Sequence, residues 1–170
     1  VEIINLDNSA SFVASSAFYN NKTIQTVNLP YATSVGDNAF NHCVSLSQVS
    51  LPMCSYIGSN VFNQCSSLSQ ISLPMCSYIR ENAFRNCISL SQINLPVCSY
   101  IYSGAFYRCM PLSIITIGYS SICSLYDSNV FLGTEITSSI GSIYVPVSLV
   151  SDYQSATNWS YFSTQIFPIE

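Results

Sequence analysis

Eight cysteines are the residues of this sequence whose type and spacing are best suited to chemistry. Seven of them recur every 11 residues and the eighth follows after a longer interval: Cys43, Cys54, Cys65, Cys76, Cys87, Cys98, Cys109 and Cys123. Thiols in such a series can form disulfide bonds, bind a metal ion, or stay reduced inside a core. Each alternative needs a different arrangement of side chains, so the choice depends on the elements that carry them.

Other groups that could catalyse a reaction are sparse. His42 is the only histidine, and at 22-residue spacing it shares a column with Gln64, Asn86 and Arg108. A position that accepts such residues is expected to be an exposed loop rather than the site of a general base. The eight acidic residues form no close pair, and neither a nucleophilic serine motif nor a glycine-rich phosphate loop occurs. The sequence therefore predicts no enzyme, no cofactor and no metal site.

The elements that position these residues repeat every 22 residues. One column of the repeat is phenylalanine: Phe18, Phe40, Phe62, Phe84 and Phe106. A second column is proline: Pro30, Pro52, Pro74 and Pro96. The interval then lengthens, since Cys123 follows Cys98 by 25 residues. This change predicts a three-residue insertion around Gly118-Tyr119-Ser120.

Each repeat has the pattern Leu46-x-x-Val49-x-Leu51-x-x-Cys54, which follows the leucine-rich-repeat template. Alternation places Val49 and Leu51 on one face of a short strand, and Pro52 ends that strand because it has no N–H to donate. Asp37 or Ser59 is predicted to cap the short 3-10 or α-helical turn that follows. Stacked repeats predict an α/β solenoid, a right-handed coil of about seven parallel strands with turns and loops opposite.

A family resemblance rests on the run Ala39-Phe40-x-x-Cys43-x-Ser45-Leu46-x-x-Val49-x-Leu51-Pro52. It resembles the BspA-like leucine-rich repeat of bacterial and protozoan surface proteins, and the resemblance covers nearly the whole chain. The segment from Ile143 to Trp159 also resembles the ending of such arrays. The resemblance implies a secreted or cell-surface protein whose array, over residues 1–146, adheres to host or matrix proteins.

The cysteine interval is half a repeat, which predicts two columns on opposite sides of the coil. Neighbours within a column lie near the distance of a disulfide, but parallel inward side chains rarely meet its dihedral requirement. A structural metal needs converging ligands rather than a ladder. The favoured interpretation is buried, reduced thiols that donate weakly to loop carbonyls, with disulfides and a metal as the alternatives.

Outward positions of the predicted strands form two largely polar columns. The first column is Thr26, Gln48, Gln70, Gln92 and Ile114. The second column is Asn28, Ser50, Ser72, Asn94 and Thr116. This face of leucine-rich repeats commonly meets partners, and its amides can bond to a peptide backbone or a glycan. We therefore expect the polar residues of both columns to bind a partner, although a purely solubilising surface would have the same composition.

A third column consists of Tyr56, Tyr78 and Tyr100. Stacked tyrosines can dock a protein or a sugar, because each ring offers apolar area and a hydroxyl. The alternative is that the rings shield the edge of the coil by packing over neighbouring prolines. Arg80, Glu81 and Arg85 are expected to form a surface group of ion pairs.

The composition limits the partners. Only 7% of the residues are charged, the net charge is −4, and four cations are too few for a phosphate-binding stripe. Nucleic acid is therefore excluded as a partner. Apolar runs extend over only a few residues, so no segment is expected to insert into a membrane.

The two ends of the array differ. Residues 147–170 are predicted to form a C-terminal cap in which Ser148 begins a helix that ends near Thr157. In this cap Trp159, Phe162 and Phe167 would cover the last coil. No polar cap precedes Ile3, so the N-terminal end is expected to be exposed and available for end-to-end contact in an otherwise monomeric protein.

Two functional hypotheses follow. The first is a non-catalytic extracellular module for adhesion or protein binding, with a protein or glycan ligand. The second is a structural spacer or display stalk within a larger surface protein. The uniformity of repeats two to four favours the spacer, whereas the polar strand columns favour recognition.

Overall fold

The computed structural model describes residues 2–5, 10–118 and 121–169. Seven parallel strands, one from each repeat, form what we term the strand face. They are β1 Glu2–Asn5, β3 Ile24–Asn28, β5 Gln48–Ser50, β7 Gln70–Ser72, β9 Gln92–Leu95, β11 Ile114–Ile117 and β13 Ser142–Val145. The predicted leucine-rich-repeat solenoid is confirmed. Tyr119 and Ser120 of the predicted insertion lie outside the described residues.

A second sheet runs along another side of the solenoid. Its strands are β2 Phe12–Val13, β4 Ser34–Val35, β6 Tyr56–Ile57, β8 Tyr78–Ile79, β10 Tyr100–Ile101 and β12 Ser124–Leu125. Each strand pairs in parallel with the equivalent strand of the next repeat, and the sheet is continuous from β2 to β12. In each of these pairs the second residue, such as Ile57, is buried and the first faces outward.

The third side of each repeat consists of hydrogen-bonded turns whose N–H groups donate to the next repeat. Phe40 N donates to Val61 O at 3.0 Å and Phe62 N to Ala83 O at 2.7 Å. Asn38, with a φ of 59°, begins such a turn in the left-handed region that asparagine tolerates. Repetition of this backbone explains the asparagines better than loop exposure does.

The predicted capping by Asp37 and Ser59 is wrong. The Asp37 carboxylate accepts a bond from the Ser59 N–H of the next repeat at 2.7 Å, and Ser59 Oγ donates to Glu81 at 3.0 Å. No regular helix follows either residue, because the next backbone position is left-handed, with a φ of 59° at Asn38 and 57° at Asn60. Both side chains therefore tie neighbouring repeats together.

The core is a continuous ladder of stacked phenylalanines flanked by aliphatic side chains. Successive rings from Phe18 to Phe131 have centroids 5.1 to 5.8 Å apart and are nearly parallel. From Phe40 onward the ladder is fully buried. A repeat therefore obtains its core contacts from its two neighbours rather than from itself.

Both cysteine columns are buried and all eight thiols are free, which confirms the reduced interpretation. In one column each thiol donates to the carbonyl of a phenylalanine in the preceding repeat. Cys65 Sγ bonds to Phe40 O and Cys87 Sγ to Phe62 O, both at 3.1 Å. In the other column the bond is shorter in sequence, as from Cys54 Sγ to Tyr56 O at 3.3 Å.

The C-terminal segment begins with a 3-10 helix over Val147–Leu149 and continues as α1 Val150–Ser155. Ser148 does not cap α1, because the preceding 3-10 turn makes Leu149 the N-cap, and that residue offers no side-chain acceptor. The helix also ends two residues before the predicted Thr157. A second 3-10 helix, Ser160–Gln165, leads into β14 Ile166–Pro168.

Two of the three predicted aromatic residues cover the last coil. Trp159 and Phe162 are buried, with ring centroids 6.0 and 5.4 Å from that of Phe131. Phe167 does not belong to this cover; it is 42% exposed because it lies on β14 and points away from the core. Strand β14 pairs in parallel with β13, so the segment adds a strand that the sequence did not predict.

Candidate binding surfaces

The strand face contains a groove of about 850 Å³. All nine polar residues predicted from the two outward columns line it, from Thr26 and Asn28 in the second repeat to Thr116 in the sixth. Parallel pairing in register brings them together, with Gln48 opposite Gln70 and Ser50 opposite Ser72. The groove also includes Ser69 and several aliphatic residues that the sequence did not single out.

The strand-face sheet is interrupted inside this groove. Strands β7 and β9 belong to different sheets, although their repeats are consecutive. Between earlier repeats, Ser69 N donates to Ser47 O at 3.1 Å; among the described residues, no equivalent bond joins Ser91 N to Ser69 O. Likewise, Leu51 N donates to Ser72 O, but Leu73 N has no such bond to the next repeat. Backbone polar groups are thus unpaired along the middle of the groove.

The interruption is confined to the strand face. On the second sheet Tyr78 pairs with Tyr100 across the same two repeats. On the turn side Phe84 N donates to Ala105 O at 2.8 Å, and the ladder of phenylalanine rings continues. The stack of repeats therefore stays closed while one of its three sides opens.

Side chains around the interruption differ from those of the regular repeats. Ile71 is partly exposed, whereas Val49 and Ile93 in the same column are each only 4% exposed. Gln48 Nε2 donates to Gln70 Oε1 at 3.1 Å, but this amide ladder does not extend to the next repeat. The middle of the groove therefore presents apolar surface and amide groups together.

Every residue that lines the groove is uncharged. Among the described residues a single ion pair occurs, between Arg80 and Glu81 at 3.2 Å, and neither residue lines the groove. Arg85, expected in the same ion-pair group, instead lies with its guanidinium carbon 5.1 Å from the ring centre of Tyr107. A charged ligand would find no counter-charge in the groove, which favours a neutral, hydrogen-bonding ligand.

The tyrosine column lies on the second sheet, so the structure does not bring it together with the groove. Tyr56, Tyr78 and Tyr100 are in register on successive strands. Tyr56 and Tyr78 keep 37% and 45% of their surface exposed, and Tyr100 is partly exposed. The two predicted surfaces are therefore separate.

Chemically reactive groups do not assemble into a site within the described residues. His42 is half-buried with a φ of 62°, and its Nδ1 lies 2.7 Å from Asn41 Oδ1. Burial raises the pKa of Cys43 and Cys54 to about 11, which keeps these thiols protonated at neutral pH and poorly nucleophilic. No cluster of His, Cys, Asp and Glu in the described ranges is arranged to hold a metal ion. Among those residues, no helix is both long enough and apolar enough to cross a membrane.

Short parallel strands stacked at 22-residue intervals around ladders of leucine, isoleucine and phenylalanine define a leucine-rich-repeat protein. The family model described as BspA type leucine rich repeat region, with 6 copies, matches residues 1–113 and 55–156. The chain therefore belongs to the BspA-type leucine-rich-repeat family. No match was found among curated protein sequences.

Solved structures with the same fold include three bacterial proteins. A leucine rich cell surface protein from Faecalibacterium prausnitzii is 24% identical, with a TM-score of 0.70 over 98% of this chain and 46% of that protein. A leucine-rich repeat protein from Bacteroides ovatus is 23% identical, with a TM-score of 0.69 over 100% of this chain and 43% of that protein. A leucine rich repeat protein from T. pallidum is 27% identical, with a TM-score of 0.67 over 85% of this chain and 68% of that protein. The chain thus spans less than half the length of the first two.

Proposed function

We propose that this chain is a non-catalytic extracellular adhesion module that binds a protein partner in the strand-face groove. The observation that carries the proposal is the interruption between β7 and β9, which leaves unpaired backbone groups in the middle of an uncharged groove. The surface location is supported by the family and by the name of the F. prausnitzii protein, a leucine rich cell surface protein.

Polypeptide is the ligand that this groove suits best. Unpaired N–H and C=O groups near Leu73 and Ser91 can bond to the backbone of a partner, as in recognition by strand addition. The amides of Gln70 and Gln92 offer further donors and acceptors, and Ile71 offers apolar contact. No aromatic side chain that would stack against a sugar ring lines the groove.

The alternative function is a spacer that holds other domains away from the cell surface. It is favoured by the regularity of the second sheet and of the phenylalanine ladder, neither of which is interrupted. A spacer requires no ligand, so a binding measurement on the isolated chain separates the two functions.

The test replaces Gln48, Gln70 and Gln92 together with alanine and measures binding to a panel of purified extracellular-matrix proteins by biolayer interferometry. We expect at least one saturable interaction of the unmodified chain, and at least about tenfold weaker binding of the triple variant. Because these side chains are exposed, the free energy of unfolding should change by less than about 0.5 kcal/mol.

A matched control variant carries Gln64→Ala and Gln154→Ala, the same chemical change at exposed positions outside the groove. It should bind as the unmodified chain does. Equal binding by the groove variant and the control would remove the groove from the interaction. If the folded chain binds no protein of the panel, the spacer becomes the better account.

A further inference from the structure

The second sheet carries an exposed surface that the proposed groove does not use. We define this tyrosine surface as Tyr56, Tyr78, Tyr100, Tyr102 and Tyr126. The first three lie in register on successive parallel strands, which run about 4.8 Å apart. The ring of Tyr102 lies 4.8 Å from that of Tyr100 and stacks at 6.0 Å with that of Tyr126. The rings therefore form one patch along the axis of the solenoid.

Part of this surface arises where the sequence departs from its own repeat. The column that contains Tyr102 holds glycine at Gly36 and Gly58 in earlier repeats, and then Arg80. At Gly58 an added Cβ would lie 2.6 Å from the Asp37 carboxylate, so the earlier repeats have no room for a side chain there. Because glycine suffices for stacking the repeats, the later aromatic rings serve something other than the fold.

The tyrosine surface has no uncompensated charge. Arg80 is its one neighbouring cation among the described residues; its guanidinium carbon lies 4.0 Å from the ring centre of Tyr102, and its Nε is 3.2 Å from a carboxylate oxygen of Glu81. The cation is therefore paired with the acid and held on a ring, where it cannot serve as a free anchor for an anionic ligand.

We propose that the tyrosine surface binds a neutral glycan chain that lies along the solenoid axis. Hexose rings have apolar C–H faces that pack on aromatic rings, and hydroxyls that bond to the tyrosine hydroxyls. A glycan also repeats one unit at short, regular intervals, so it can meet the same side chain on successive repeats, whereas a folded protein surface seldom does. Rings anchored on a sheet lose little rotamer freedom on binding.

The chain supplies a conservative way to test the proposal. The Tyr56–Tyr78–Tyr100 column begins with Ser34 and ends with Ser124, so the second sheet accommodates serine at this position. The variant Tyr56→Ser/Tyr78→Ser/Tyr100→Ser removes the rings and should keep the fold. Neutral hexasaccharides of β-1,4-glucan, β-1,4-mannan and α-1,4-glucan, together with a sulfated heparin fragment, are titrated into the full chain by calorimetry.

At least one neutral hexasaccharide should bind saturably, and the serine variant should bind it at least about tenfold more weakly. Tyr78→Phe, which keeps the ring and loses the hydroxyl, should lose less affinity than Tyr78→Ser. That single pair at an exposed position also repeats the test if the triple variant is unstable. The variant with Gln48, Gln70 and Gln92 replaced by alanine should bind the sugar unchanged, so this result is independent of the groove.

Several results would overturn the proposal. One is that no neutral hexasaccharide binds at millimolar concentration, and another is that only the sulfated fragment binds. Equal affinity of the serine variant and the unmodified chain would place any sugar elsewhere. Loss of binding to a matrix protein in the serine variant, without any sugar binding, would make the tyrosine surface a protein-binding site instead.

Discussion

Replacing Phe84 with alanine should lower the free energy of unfolding by about 3–5 kcal/mol. The ring is fully buried, and its centroid lies 5.3 Å from those of both Phe62 and Phe106. Hydrogen bonds from Phe62 N and Phe84 N to the following repeats hold the backbone in place, so the cavity cannot easily collapse. Urea unfolding followed by circular dichroism measures the loss.

Ile88 provides the matched control for Phe84, because it is an apolar residue four positions later that is 48% exposed. Ile88→Ala should change the free energy of unfolding by less than about 0.5 kcal/mol. A loss below about 1 kcal/mol for Phe84→Ala would contradict the description of the ladder as the core that joins the repeats.

Replacing Trp159 with alanine should have an effect of similar size, about 3–5 kcal/mol, but localised at the C-terminal end. The indole is fully buried, and its Nε1 donates to the carbonyl of Cys123, while the hydroxyl of Tyr153 accepts from the N–H of the same cysteine at 2.8 Å. These two side chains pair the backbone of Cys123 in place of a further repeat. Without the indole, that carbonyl loses its donor and Phe131 loses a neighbouring ring.

Limited proteolysis followed by mass spectrometry measures the effect of Trp159→Ala. The first cuts should fall after residue 121, while the middle repeats resist until global unfolding. Tyr161, which is 71% exposed in the same segment, provides the control, and Tyr161→Ala should leave the cleavage pattern unchanged. First cuts in the second or third repeat would show that Trp159 does not close the end of the array.

The solenoid could be predicted from the sequence because its period carries the information. Every repeat must place its apolar side chains over those of the preceding repeat, so the spacing of Val27, Val49 and Ile71 determines the register of the strands. The same reasoning identifies the outward columns, since Gln48 and Ser50 alternate with the inward Val49.

Local backbone geometry was harder to predict from residue types. Asp37 before Asn38 has the composition of a helix cap, but a left-handed φ at Asn38 directs the carboxylate to the next repeat. Ser148 fails as a cap because Val147–Leu149 already forms a 3-10 turn. Phe167 was expected in the core because it is aromatic, and it is exposed because β14 extends the sheet.

The interruption of the strand face could not be predicted from the sequence. The segment Ser69-Gln70-Ile71-Ser72 differs by one residue from Ser91-Gln92-Ile93-Asn94, yet these are the repeats that separate. The tyrosine surface did leave a signal. Aligning the repeats by their period shows that the glycine column at Gly36 and Gly58 changes to bulky residues, although this column was not examined for function.

Amide hydrogen exchange tests the role of the strand-face groove most directly. The exchange rates of the chain are measured alone and with the matrix protein that it binds. The amides of Leu73 and Ser91, which have no partner on the neighbouring strand, should exchange quickly in the free chain and slow on binding. Protection at residues 69–73 and 91–95 is the predicted result. Protection confined to the turn side, around Asn86 and Arg108, would contradict the proposed site.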